Sequence, residues 1–369
     1  MIYLDQLTYK RDLLNSFKED HANGRSLKFA WQEIKSFFSI NDEDATFVFT
    51  SSGAEAIAQV YWSVYNHEIL PSGLNHMITS NLEEAPILMG LERYNKLGAL
   101  VDVADSMGRA CLTREALEPY FTPYTKFVSI SAVSVQTGAR HDLESISQLC
   151  KEKGVLLHID MSDLVGYKPI DFHKLQADYI TVDGARFGAV EGTGVLLAKK
   201  ERKIEPLILD YMGQKGYRGG ALDEKKIIDF SLALSVMLEK AEKYLIHLPL
   251  LQKFFEESCV KEVPGCSLPF KGINRVAHVS AIQIEGAFNE LLIFYLRERG
   301  VHVHLGGGML QQTGGLFEKV GVEPFKTSEI LSFAWSIDMD RQTIHQAVQV
   351  IKEEVKRVLA VKSGEGSTW

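Results

Sequence analysis

Cysteine is scarce and unpaired in this chain. The four present, Cys111, Cys150, Cys259 and Cys266, form no CxxC pair and have no histidine at metal-ligand spacing. Neither a zinc ribbon nor a disulfide framework is expected, and a reducing compartment suits them. Long apolar runs are missing too: no stretch approaches the roughly 20 residues that cross a bilayer. The opening MIYLDQLTYKRD lacks an apolar core between a basic start and a small-residue cleavage site. The expectation is a cytoplasmic protein, neither secreted nor inserted in a membrane. Basic clusters are also absent. With 40 Lys and Arg against 48 Asp and Glu, a formal net charge of −8, the chain offers little for the phosphate contacts that dominate nucleic-acid binding. No internal repeat or low-complexity tract is found. What remains is ordinary globular composition, 46% hydrophobic and 24% charged over 369 residues, with room for two domains.

Apolar runs and amphipathic stretches alternate between residues 45 and 200. TFVFT, HMITS, ALVDVA, KFVSISAV, VLLHID, DYITV and GVLLA read as strands, with helices such as DLESISQLCKEKG between them. This is the pattern of an α/β, mostly parallel, doubly wound sheet covered on both faces. DYITV and GVLLA are joined by too short a turn for a helical crossover, so that pair is expected to be antiparallel. From about residue 223 a long amphipathic segment leads into a second rhythm. VAHVSAIQIE, FNELLIFYLRERG, VHVHL, ILSFAWSI and RQTIHQAVQVIKEEVKRVLA suit a smaller α+β C-terminal domain. The expected division is a segment 1–15 packing on the small domain, a large domain 16–245 and a small domain 246–369.

Several short motifs carry chemistry or a plainer structural role. FTSSGAEA places Ser51, Ser52 and Gly53 at the start of a helix, where backbone N–H groups make an anion site. The same residues suit a simple cap, since Ser52 and Glu55 form the Ser-x-x-Glu capping signature. Asp160 ends a buried strand, where open α/β sheets bind ligands; it suits a protonated ring nitrogen, a helix cap or a partner for Arg186. Asp163, about one turn beyond, reads as a cap or a solvent-facing residue. His302 and His304 share a strand face with no sequence-near third ligand, so a structural or surface pair is expected rather than a metal site. LGGGMLQQTGG does not match GxGxxG opening a helix and reads as a mobile loop.

Taken together, these segments resemble the cysteine desulfurase family of the class V aminotransferase superfamily, enzymes dependent on pyridoxal phosphate (PLP). The resemblance runs from IYLDQLT through FTSSGAEA, HMITSNLEEAPIL and FVSISAVSVQTGARHDLESI, then through HIDMSDLVGYKPIDFHKLQADYITVDGARFGAVEGTGVLLAKK and GQKGYRGGALD to ILSFAWSI. It implies the PLP-transferase type I fold. The family's turn after DYITV carries Ser-Gly-His-Lys, whose lysine forms the imine with the cofactor. Here Asp183, Gly184, Ala185 and Arg186 stand there, and a guanidinium stays protonated and forms no useful imine.

Other cofactor positions implied by the resemblance are changed as well. The phosphate-binding threonines align with Ala54 and Ala221, the ring-stacking histidine with Glu84, and the glutamine near the phenolic oxygen with Asp163. Ser52 and Gly53 keep the helix start, and Asp160 keeps the partner of the pyridine nitrogen. Arg218 is also retained. Ser332 stands for the arginine that grips the substrate carboxylate, and the loop HLGGGMLQQ lacks the persulfide cysteine. Lys168, Lys199 and Lys200 do not take the imine position. Arg186 is therefore expected to fill the lysine's space as a structural ion pair with Asp160 or Asp183.

The expectation is a homodimeric, non-catalytic binding or regulatory homologue that holds no covalent aldimine, with partners among desulfurases or iron–sulfur assembly proteins. Two alternatives accompany it. One is an enzyme that binds PLP or its aminated form weakly and without the lysine, and the other is a conventional desulfurase or aminotransferase. Glu84, Asp160, Asp163 and Asp183 would also suit a small cation or a neutral metabolite.

Overall fold

A computed structural model describes residues 1–6, 26–165 and 170–363, with side chains through Val361. Residues 7–15 of the N-terminal segment, Lys168 and the tail from 364 onward lie outside the described residues. Seven strands form the central sheet of the described residues. Their order is Ala45–Thr50, Gly194–Lys199, Tyr179–Asp183, Leu156–Asp160, Thr125–Ser131, His76–Ser80 and Leu100–Ala104. Gly194–Lys199 runs antiparallel to both neighbours, as the short turn before it requires, and every other pair is parallel. Thr125–Ser131 is buried along nearly its whole length, as its apolar run on both faces demands.

Local chemistry sets the helix ends. Asp142 caps Leu143–Lys153 by accepting from the Ser145 amide, and Gly154 ends that helix in the left-handed region, φ 65°. Ser52 caps Gly53–Val64 through the Glu55 amide. That helix runs on through a wide turn, Tyr65–Ile69, to Ser72. The long amphipathic segment after residue 223 is two helices rather than one. Glu224–Glu239 ends at Lys240, and a wide turn, Lys243–His247, then runs directly into Leu248–Glu262, which has Pro249 in its first turn.

A second sheet joins Cys266–Ser267, Val279–Ile284 and Ile330–Ala334, all antiparallel. Leu248–Glu262 and Asn289–Glu298 both pack against the terminal helix Arg341–Ser363. The start of the chain joins this unit: Ile2–Tyr3 pairs in parallel with Val301–His302, and the Gln6 amide donates to the Ala334 carbonyl. VHVHL is strand only at Val301–His302, while His304 makes an isolated bridge to Ser332. Among the described residues no helix is long and apolar enough to cross a membrane.

Candidate functional site

Strands Leu156–Asp160 and Tyr179–Asp183 lie side by side and end together, at the carboxyl edge of the sheet. Ser162 joins their ends. Its hydroxyl donates to Asp160 Oδ1 at 2.6 Å and accepts from the Asp183 amide at 2.8 Å. Thr181 also donates to Asp160 Oδ1, at 3.3 Å, and its hydroxyl lies 2.9 Å from His158 Nε2. From His158 Nδ1 the network passes to Ser129 and on to Tyr61, through contacts of 2.8 and 2.7 Å. Burial pushes the His158 pKa down to about 3, so the ring is neutral at physiological pH. Burial pushes Asp160 up to about 6, against the hydrogen bond from Ser162.

The turn Gly184–Phe187 follows Asp183, whose side chain caps it by accepting from the Ala185 amide at 3.0 Å. Gly184 is required by space, because a Cβ there would lie 2.1 Å from Thr193 Oγ1. The turn sends Arg186 inward, where its side chain is 4% exposed. The guanidinium pairs through Nη2 with Glu84 and through Nη1 with Asp163 Oδ1 at 3.3 Å. This corrects two expectations. The directly paired carboxylates are Glu84 and Asp163 rather than Asp160 or Asp183, and Asp163 is 10% exposed rather than solvent-facing. The reason is reach: Asp183 is folded back onto its own turn and onto Gly53, and Asp160 is held by Ser162. Burial opposes the charge of Arg186, but Asp163, Glu84, Asp183 and Asp160 outweigh it and raise its pKa above the ordinary value. Burial also raises Glu84, with Asp163 and Asp160 adding to the shift and Arg186 opposing it.

Ser52, Gly53 and Asp183 meet at the helix start. Asp183 Oδ2 accepts from the Gly53 amide at 2.8 Å. A Cβ on residue 53 would come within 2.8 Å of Asp183 Cβ, so glycine permits this approach. Ser52 caps as its sequence signature suggests, but the reciprocal contact is shifted by one residue. Glu55 reaches the amide and hydroxyl of Ser51, at 2.7 and 2.5 Å, rather than Ser52. Glu55 also binds Arg218 Nε at 2.8 Å. Ala54 and Ala221 are exposed and offer no hydroxyl, while Ala185 is buried in the turn.

The glycine loop is fastened to the site, contrary to the mobile reading. Gln311 donates to the carbonyls of Asn81 and Glu83, at 2.9 and 2.6 Å, and the Ala85 amide donates to the Met309 carbonyl. The same segment opens the helix Thr313–Lys319. His302 stacks on Tyr3, and His304 accepts from the Gly306 amide, so the two rings serve separate structural roles. Ser332 is buried and donates to the Gln136 carbonyl. Among the described residues no group of three or more His, Cys, Asp or Glu could hold a metal ion.

Sequence reasoning missed Glu83, Ser162, His158, Gln311 and the Glu55–Arg218 pair. Only Glu83 left a signal, as one of two adjacent acids three residues beyond the end of a buried strand. It accepts from the Ser80 hydroxyl at 2.5 Å and the Ser131 amide at 2.7 Å, and burial pushes it up to about 7.

The aminotransferase class-V profile matches residues 17–312. The chain belongs to the aminotransferase class-V family. Among similar family members is a cysteine desulfurase of Trichormus azollae, 20% identical over 341 residues, which span 92% of this chain and 84% of that one. A cysteine desulfurase IscS of Rickettsia africae is 25% identical over 298 residues, 78% of this chain and 70% of its own. The fold matches that of a NifS-like protein with a TM-score of 0.84 at 18% identity, covering 96% of this chain and 99% of the other. A second NifS-like protein, from Rickettsia africae, gives 0.81 at 19% identity and the same coverage.

The residues at this site do not fit pyridoxal phosphate, the cofactor of the class-V family. Arg186 offers no nucleophilic amine, Glu84 and Asp163 are engaged by that guanidinium, and the amide at the helix start already faces a carboxylate. Asp160 alone keeps an open feature: only its Oδ1 receives hydrogen bonds from the described residues.

Two outcomes follow from this geometry. Arg186→Ala leaves buried carboxylates uncompensated and is expected to cost about 3–5 kcal/mol in denaturant unfolding; Arg186→Met, which keeps more of the packing, should cost less. An unchanged unfolding midpoint for both would contradict the ion cluster. Glu83 and Asp160 have folded pKa values raised to about 7 and about 6. The folded state therefore holds protons that the unfolded state releases, and stability present at low pH is lost as pH rises from about 4 to 7. Glu83→Gln should flatten the fall of melting temperature across that range, and an unaltered slope would contradict the assignment.

Proposed function

We propose that this class-V family chain is a non-catalytic binding or regulatory homologue of cysteine desulfurases. It works as a homodimer, with protein partners among desulfurases or iron–sulfur assembly proteins. One observation carries the reading: Arg186, which the resemblance aligns with the imine lysine, is buried between Glu84 and Asp163. A protonated, doubly paired guanidinium neither adds to an aldehyde nor moves a Cα proton. Ser332 in the carboxylate-gripping position, turned onto the Gln136 carbonyl, and a cysteine-free loop pinned by Gln311 support it further. The partner class rests on analogy with the similar desulfurases.

The dimer has its own support. Leu209, Tyr211 and Met212 are 78%, 99% and 81% exposed in the loop that leads to Arg218, an apolar patch of the kind that an interface covers. The cysteines among the described residues are all free, which suits a cytoplasmic setting.

A second reading, cofactor binding without an imine, is favoured by Asp160, whose Oδ2 receives no hydrogen bond from the described residues. Both readings meet one experiment, an absorbance titration with PLP followed by borohydride reduction and intact-mass measurement. The proposal expects no aldimine band and no specific adduct. An adduct mapping to one lysine would overturn it, and a saturable spectral change without an adduct would favour the second reading. For the interface, light scattering should report a dimer for the native chain and a monomer for Tyr211→Glu with Met212→Glu. A monomeric native chain would contradict the dimer.

A further inference from the structure

We infer that Asp183 is a built-in anionic ligand of the helix beginning at Gly53, and that it closes this anion seat to phosphate monoesters. The inference rests on the reading above, in that the site holds no cofactor bound through an imine. It adds the group that keeps a phosphate-bearing molecule out.

The helix Gly53–Val64 has twelve residues and continues to Ser72, so its first turn presents unpaired amides and the positive end of a long dipole. Such a start attracts anions from solution. Here the anion comes from the chain itself, 130 residues away in sequence, with Asp183 Oδ2 on the Gly53 amide at 2.8 Å. Two further contacts hold the carboxylate there, and a glycine at residue 53 leaves it room. Its other oxygen accepts from the Ala185 amide, its own amide donates to Ser162, and its Cβ lies where any side chain on residue 53 would collide.

The nearby cation is also taken. Arg218 Nε binds Glu55 Oε1 at 2.8 Å, and Glu55 Oε2 holds the amide and hydroxyl of Ser51. The helix start is thus closed by two internal carboxylates, Asp183 on the amide and Glu55 on the arginine and on Ser51. A phosphate monoester carries close to two negative charges at neutral pH. At about 4 Å and an effective dielectric of about 20, each unit repulsion with Asp183 amounts to about three orders of magnitude in affinity. Displacing Asp183 would in turn free a carboxylate near Arg186, which Glu84 and Asp163 already pair. Phosphate is therefore disfavoured whether Asp183 stays or moves.

The test uses the full-length protein and calorimetric titration with inorganic phosphate, pyridoxal phosphate and pyridoxal, together with the amide NMR shift of Gly53. The native chain should bind neither phosphate compound more tightly than pyridoxal. Asp183→Ser should gain at least tenfold in affinity for inorganic phosphate and for pyridoxal phosphate, but not for pyridoxal, with the Gly53 amide shifting on phosphate addition. If Asp183→Ser fails to fold, Asp183→Asn replaces it and should show the same direction of change with a smaller gain. No gain in the folded variant overturns the inference, as does tight phosphate binding by the native chain. Neither result involves an imine, so each is distinct from the borohydride adduct that would overturn the non-catalytic reading.

Discussion

A single buried guanidinium organises the carboxyl edge of this sheet. Arg186 is almost fully shielded from water and lies among Glu84, Asp163, Asp183 and Asp160. Removing a charge from water is costly, and only close, well-aligned opposite charges offset that cost. Glu84 and Asp163 supply those contacts directly, and the other two carboxylates contribute through the field. The arrangement is therefore mutual: the arginine is tolerated because the acids are there, and the acids are tolerated because of the arginine.

The surrounding polar groups extend this dependence outward. With carboxylates outnumbering the described cation, burial lifts Glu83 to about 7 and Asp160 to about 6, so the cluster retains protons near neutrality. Ser162 couples the two strand ends, and His158, kept neutral, links Thr181 to Ser129 and Tyr61 beneath them. Asp183 turns from the arginine to the helix start, which leaves Glu84 and Asp163 as the direct partners. A residue that looks like one member of a charge cluster in the sequence thus closes a different site. Buried polar networks of this kind favour one arrangement because most of their members have poor alternatives.

Much of the architecture was legible in the sequence because it follows from pattern. Apolar runs separated by amphipathic helices gave the parallel sheet, and the short turn before GVLLA gave its antiparallel member. An arginine at position 186, where the resemblance implies a lysine, was equally plain to read, since it needs only one residue's chemistry. The direct partners of Arg186 were not legible, because Glu84 and Asp163 follow different strands and their directions depend on tertiary packing. Asp163 reads as solvent-facing until the fold encloses it. The glycine loop reads as mobile because its composition hides Gln311, whose amide finds the Asn81 and Glu83 carbonyls more than 200 residues away. Likewise, nothing local to GYRGG shows that Arg218 faces Glu55.

The central claim is that this site meets its charges internally, with Arg186 held by Glu84 and Asp163 and Asp183 held on the Gly53 amide. A crystal structure of the native protein grown with millimolar pyridoxal phosphate tests it most directly. The account predicts Arg186 between Glu84 and Asp163, Asp183 on the Gly53 amide, and no phosphate at the helix start. A phosphate group seated on Gly53 with Asp183 turned away would contradict it.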